Sequence, residues 1–167
     1  DPNAEGAAAI REAAEFLIDN GGNVVYIAKD DGQEMLVRGE VDMAVEYSGD
    51  IFQIMDECEC DTYAYVIPEE GTNFWLDNLV IPTGAPNKAL AETFIDYVLD
   101  PHVGASIANY TAYGSPNLAA IDMELIDPEL AEDPGIYPSA ETQERLFFAT
   151  QSAEREQLLF EAWDEIR

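Results

Sequence analysis

Ile10, Ala13, Ala14, Leu17 and Ile18 recur at i, i+3, i+4, i+7 and i+8, the spacing of one apolar stripe on a helix. This predicts a helix over 4–19, stopped by Asn20-Gly21-Gly22 with glycine past its C-terminal end. A short apolar run of strand type follows at 24–28. The turn Lys29-Asp30-Asp31-Gly32 opens a second helix through Arg38, and 43–47 reads as a second strand. Ser48 is placed to cap a third helix with Ile51, Ile54 and Met55 on one face. Residues 63–67 form a third expected strand, ended by Pro68 and Gly71, and 74–81 a fourth, closed by Pro82. A helix starting near Asn87 carries Ala91, Phe94, Ile95 and Val98 on one face; Asp100-Pro101 breaks it, and another runs to about Tyr110. Residues 111–138 are turn-rich, with Pro116, Pro128, Pro134 and Pro138. A last helix near 152–166 is expected to bury Leu159, Ala162, Trp163 and Ile166.

The alternation of strand and helix predicts an α/β unit, a mostly parallel sheet flanked by helices. Ligands bind such sheets beyond the carboxyl ends of the strands. The residues there are Lys29, Asp30 and Asp31 after the first strand, and Glu46, Tyr47 and Ser48 after the second.

Charge narrows the partners. The 167 residues hold 7 Lys+Arg against 35 Asp+Glu, a formal net charge of −28, with a hydrophobic share of 47% that supplies a core. Nucleic acid is excluded as a partner, because its phosphates are repelled at every face. An anionic membrane surface is excluded for the same reason, and no apolar run approaches the ~20 residues that span a bilayer. The chain opens on Asp1-Pro2-Asn3 with no signal peptide expected in it. The acidity has two compatible readings. One is halophilic adaptation, since a Debye length of ~3 Å at 1 M removes the self-repulsion. The other is attraction of a cationic ligand. Thirty-five carboxylates are far more than one site needs, so salt is the main cause.

The residue types for catalysis do not assemble. His102, the single histidine, follows Asp100-Pro101 at a helix start, where a surface position is expected. No histidine metal cluster and no Ser-His-Asp set can be built around it. Cys58-Glu59-Cys60 supplies too few ligands for a structural zinc and reads as a tight disulfide loop or two ordinary thiols. Gly21-Gly22 follows a helix, the wrong context for a phosphate loop. Pairs such as Glu69-Glu70 arise by composition. No enzyme, cofactor or metal site is expected.

The segment Phe74-Trp75-Leu76-Asp77-Asn78-Leu79-Val80-Ile81-Pro82 is more informative. Strand alternation puts Trp75 and Asp77 on one face. A ring face attracts an alkylammonium group and lines its methylenes, while a carboxylate takes the charge-assisted hydrogen bond. Spacing alone is equally met by a core Trp75 and an Asp77 paired elsewhere.

Four stretches together resemble the spermidine/putrescine-binding proteins of ABC importers: 39–50 (Gly-Glu-Val-Asp-Met-Ala-Val-Glu-Tyr-Ser-Gly-Asp), 73–82 (Asn-Phe-Trp-Leu-Asp-Asn-Leu-Val-Ile-Pro), 109–120 (Asn-Tyr-Thr-Ala-Tyr-Gly-Ser-Pro-Asn-Leu-Ala-Ala) and 136–142 (Ile-Tyr-Pro-Ser-Ala-Glu-Thr). The resemblance implies a type II periplasmic-binding-protein-like fold, two α/β lobes closing on a polyamine, of which this chain is an incomplete fragment. Residues 1–76 would belong to the second lobe, 77–121 would cross into the first, and 122–167 would return. Trp75 would be a stacking ring and Asp77 an amine-binding carboxylate. Tyr113 would contact ligand, and Tyr47 stands where relatives carry a tryptophan. A polar ligand contact falls at Lys29-Asp30, so either Asp30 takes that role or Lys29 points away. A glutamine contact near 147–149 is absent. The implied function is capture of an extracellular or periplasmic polyamine at the cell surface for an ABC permease, without catalysis. A binding protein for a different solute, or a stand-alone α/β interaction module, are the alternatives.

Overall fold

A computed structural model describes residues 6–27, 31–58, 62–150 and 152–166. Its chain divides into two compact units. The first comprises Asp1–Ala44, Asn73–Trp75 and Leu146–Arg167, and the second Val45–Thr72 and Leu76–Arg145.

In the first unit, α1 (Ala7–Asn20) buries Ile10 and Ala14. It ends in a 3₁₀ turn, Gly21–Asn23, with Gly21 still in the right-handed region at φ −64°. α2 (Gly32–Val37) stops at Arg38, whose guanidinium meets Glu40 at 2.7 Å and Glu34 at 3.4 Å, all exposed. α1 packs against the C-terminal helix (Ala153–Ile166), and their seam holds Ile10, Ala14 and Leu17 against Leu159, Ala162 and Trp163. The stripe is the one the sequence predicts, but its burial is partial: Leu159 and Trp163 stay 40% and 39% exposed.

In the second unit, α3 (Ser48–Cys58) buries Gly49 and Ile51, with Ile54 and Met55 half-buried. α4 (Lys88–Leu99) and α5 (Pro101–Thr111) meet at Asp100, whose carboxylate accepts from the amides of His102 (2.9 Å) and Val103 (3.4 Å) while Pro101 takes the first helical position. The turn-rich stretch holds α6 (Leu118–Asp122) and α7 (Pro128–Ala131); α8 (Ala140–Gln143) follows it, and the C-terminal helix of the first unit is α9. Ala105 and Ala108 of α5, Ala120 of α6 and Ile126 form the core here, flanked by Leu125, Leu130 and Tyr137. Asn109 fastens it, donating to the Leu125 carbonyl (3.2 Å) and accepting from the Asp127 amide (2.9 Å).

The expected sheet is not formed. Among the described residues the structure is helical, and the only strand-type pairing is an isolated parallel bridge between Asn73 and Phe147. This corrects the α/β reading. The four expected strands form no ladder with one another among the described residues, and Ala28 lies outside those residues. The physical reason is that a strand exists by pairing, and a parallel strand is apolar on both faces because both are covered. Here one face stays open: Val25, Val45, Val66 and Val80 are 73%, 101%, 71% and 80% exposed. The Leu76 carbonyl accepts from its own neighbour, the Asn78 amide, at 2.7 Å, rather than from an adjacent strand. Phe94, which shares a face of α4 with Ala91, Ile95 and Val98, is also exposed.

Candidate functional site

Aromatic and acidic groups converge in the second unit where the first turn of α3 meets the residues after α5. The chain enters α3 through Tyr47, whose carbonyl accepts the Ile51 amide (3.3 Å). Ser48, expected as the cap, hydrogen-bonds the Tyr65 hydroxyl, and Tyr65 packs on Phe52 with ring centroids 5.5 Å apart. Burial raises the Tyr65 phenol above its ordinary range, with the Ser48 bond acting the other way.

α5 ends on Ala112, a non-glycine residue in the left-handed region at φ 56°, ψ 25°. Its amide closes on the Ala108 carbonyl at 2.9 Å. This reversal delivers Tyr113 to α3. The Tyr113 hydroxyl donates to the Asp50 Oδ1 over 3.5 Å. Burial pushes the phenol up to about 12; the Asp50 carboxylate adds to this by charge and by its hydrogen bond, and Tyr47 adds further. A backbone hydrogen bond from Asp50 opposes them. Gln53 ties the same two elements, donating to the Gly49 carbonyl (3.2 Å) and the Thr111 carbonyl (3.1 Å).

The structure therefore brings Tyr47 and Tyr113 together, with Tyr47 half-exposed and Tyr113 half-buried. It adds Asp50, which the sequence reading passed over in favour of Ser48. The available signal was a carboxylate three residues beyond an aromatic at a helix start. Asp77 lies exposed in the second unit, on the extended segment after Leu76. Trp75 belongs to the first unit. There the Phe74 amide donates to the Phe147 carbonyl (3.0 Å) and the Phe74 ring lies 3.8 Å from that of Phe148, centroid to centroid, while Trp75 keeps 44% of its surface exposed. Asp30 lies outside the described residues. Cys58 is disulfide-bonded, which leaves the reading of two ordinary thiols behind, and Cys60 lies outside the described residues.

A carboxylate that meets one phenol ring, with a second phenol near that ring, is chemistry for a compact organic cation, since it offers charge, hydrogen-bond acceptors and ring faces together. Residues 1–138 match the bacterial extracellular solute-binding protein family, and the chain belongs to that family. It is 36% identical over 121 residues to the spermidine/putrescine-binding periplasmic protein of Salmonella typhimurium, covering 72% of this chain and 33% of that protein. It is 28% identical over 171 residues to the putrescine-binding periplasmic protein SpuD of Pseudomonas aeruginosa, covering 99% of this chain and 46% of that one. Among solved structures it is similar to the spermidine/putrescine ABC transporter substrate-binding protein PotD of Streptococcus pneumoniae, with a TM-score of 0.78 and 26% identity over 99% of this chain and 51% of that one. The chain thus spans about half the length of these relatives, or less. The course of its backbone follows that of a solute-binding protein even where strand pairing is missing.

Proposed function

We propose that this chain is part of the substrate-binding component of an ABC importer and captures a polyamine of the putrescine or spermidine class, outside the cytoplasmic membrane, for delivery to a permease. The observation that carries this reading is the Tyr47–Asp50–Tyr113 cluster, in a chain whose relatives are named for putrescine and spermidine. Asp50 supplies a negative partner for one ammonium group, and the two phenol rings supply faces for the cation and its methylenes. Trp75 and Asp77, each exposed in its own unit, belong to this reading through the resemblance. Asp30 belongs to the same reading through the resemblance. The lobe division at 1–76, 77–121 and 122–167, with closure of the lobes on the ligand, also belongs to it. The protein's work is binding, with no chemical step. Among the described residues no helix is long and apolar enough to cross a membrane.

The test is an NMR titration of the 167-residue chain with putrescine at millimolar concentration. Shifts concentrated on Tyr47, Asp50 and Tyr113 are the expected result. Shifts spread evenly over the acidic surface would show a counterion atmosphere instead and remove the assignment.

A further inference from the structure

Gly49 sits in the first turn of α3, buried, with its face turned to the Tyr113 ring. A Cβ built on Gly49 would land on the ring carbons Cε2, Cδ2 and Cζ of Tyr113. No flexible side-chain end is available to yield, because a phenol ring is rigid and its backbone is held by the left-handed Ala112. The ring therefore occupies the volume that any other residue at position 49 would fill. On the other side, the Gln53 side-chain amide donates back to the Gly49 carbonyl within α3 and across the junction to the Thr111 carbonyl. Thr111 is two residues before Tyr113, so this bridge fixes the height at which the ring meets the helix.

We infer that Gly49 and Gln53 are positioning residues, which together seat the Tyr113 ring against α3 and so hold its hydroxyl at the Asp50 carboxylate. The inference deepens the polyamine reading and rests on it for its functional meaning. Neither residue touches the ligand; one leaves room for the ring, and the other ties the backbone that carries it. The seat presents a ready-oriented carboxylate and ring to an incoming cation, with the ordering cost already met in the free protein.

The Tyr113 phenol reports on its own seat, because burial and Asp50 together set its ionisation. The experiment labels tyrosine at Cζ with ¹³C, assigns Tyr113 by its loss in Tyr113→Phe, and follows its pH titration. In the wild type the midpoint is expected near 12. In Gly49→Ala and in Gln53→Met it is expected to fall towards the ordinary value of 10.0. Gly22→Ala, where an added Cβ meets nothing within 4 Å, should leave it unmoved. Thermal unfolding supplies a second reading. Gly49→Ala should lower the melting temperature of the wild type but not that of Tyr113→Ala, in which the ring is gone. Putrescine affinity should fall roughly tenfold in both positioning variants, as for a lost desolvated ring contact. A Tyr113 midpoint unmoved in two folded variants overturns the seat, whatever putrescine does. A wild type that ignores putrescine while the midpoints move as described overturns the polyamine reading and leaves the seat standing.

Discussion

The Tyr113 hydroxyl reaches the Asp50 carboxylate over 3.5 Å, joining the residue after the left-handed end of α5 to the first turn of α3 across 63 positions of sequence. Burial is the main cause of the raised Tyr113 ionisation, and the contact with Asp50 adds to it. Asp50→Asn keeps the shape of the site but removes its charge. The Tyr113 midpoint should then move down from about 12, because the carboxylate no longer opposes a phenolate. Ultraviolet difference titration against Tyr113→Phe measures it. A midpoint unchanged by the substitution would mean that Asp50 does not face the ring.

The same contact predicts how stability depends on alkaline pH. The unfolded chain releases the Tyr113 proton near 10.0, whereas the folded chain holds it to about 12. The raised value therefore contributes stability that is complete below pH 10 and lost as pH climbs to about 12. Tyr65 is shifted in the same direction and adds to the effect. Urea unfolding at pH 9, 10, 11 and 12 should give a declining free energy, with a shallower decline in Tyr113→Phe. Parallel curves for the two proteins would contradict the prediction.

Salt should stabilise the fold. Seven basic residues face thirty-five acidic ones, and the ion pairs of Arg38 and Lys88 are all exposed. Such pairs contribute little, so the net repulsion of a −28 chain is the larger quantity. Raising KCl from millimolar to molar shortens the Debye length to ~3 Å and screens it. Melting temperature should rise strongly across that range; a flat response would remove the halophilic reading.

Gly71 should tolerate no side chain. Its φ is 94°, and an added Cβ would overlap the carbonyl oxygen of Arg145. The Arg145 guanidinium in turn donates to the Glu69 carbonyl at 2.9 Å and to the Pro68 carbonyl at 3.3 Å. Gly71→Ala combines a left-handed backbone penalty with a backbone clash and should cost about 2 kcal/mol or more. Chemical denaturation checks it, and a loss under ~0.5 kcal/mol would show that the Gly71 turn relaxes freely.

Local signals were legible in the sequence and pairing was not. The stripe of Ile10, Ala14 and Leu17, and the helix switch at Asp100-Pro101, are readable because a helix closes its hydrogen bonds within itself. The apolar runs around Val25, Val45, Val66 and Val80 carry the composition of buried strands, but pairing is a property of two segments, and among the described residues it is met by a single bridge, Asn73–Phe147. The 111–138 stretch reads as turns because its helices are short and it buries few residues, Ala120 and Ile126 among them, which give only a weak stripe. Tyr47 and Tyr113 were named through the family resemblance. Asp50 was not, because the pattern Tyr-Ser-Gly-Asp is equally a helix cap and only the fold shows which acid the Tyr113 ring meets.

Polyamine capture is tested most directly by calorimetry of the gene product that carries this chain, titrated with putrescine and spermidine in molar salt. The wild type is set beside Asp77→Asn, Trp75→Ala and Glu144→Gln. An ammonium buried without its carboxylate costs on the order of 2–5 kcal/mol, so Asp77→Asn should weaken binding most. Trp75→Ala should cost about 1–3 kcal/mol through lost ring contact and methylene packing. Glu144, an exposed acid after α8, acts through a screened field and should contribute roughly 0–1 kcal/mol. Binding by the wild type with losses in that order is the predicted result. No heat of binding for either polyamine, or Asp77→Asn indistinguishable from Glu144→Gln, would contradict it.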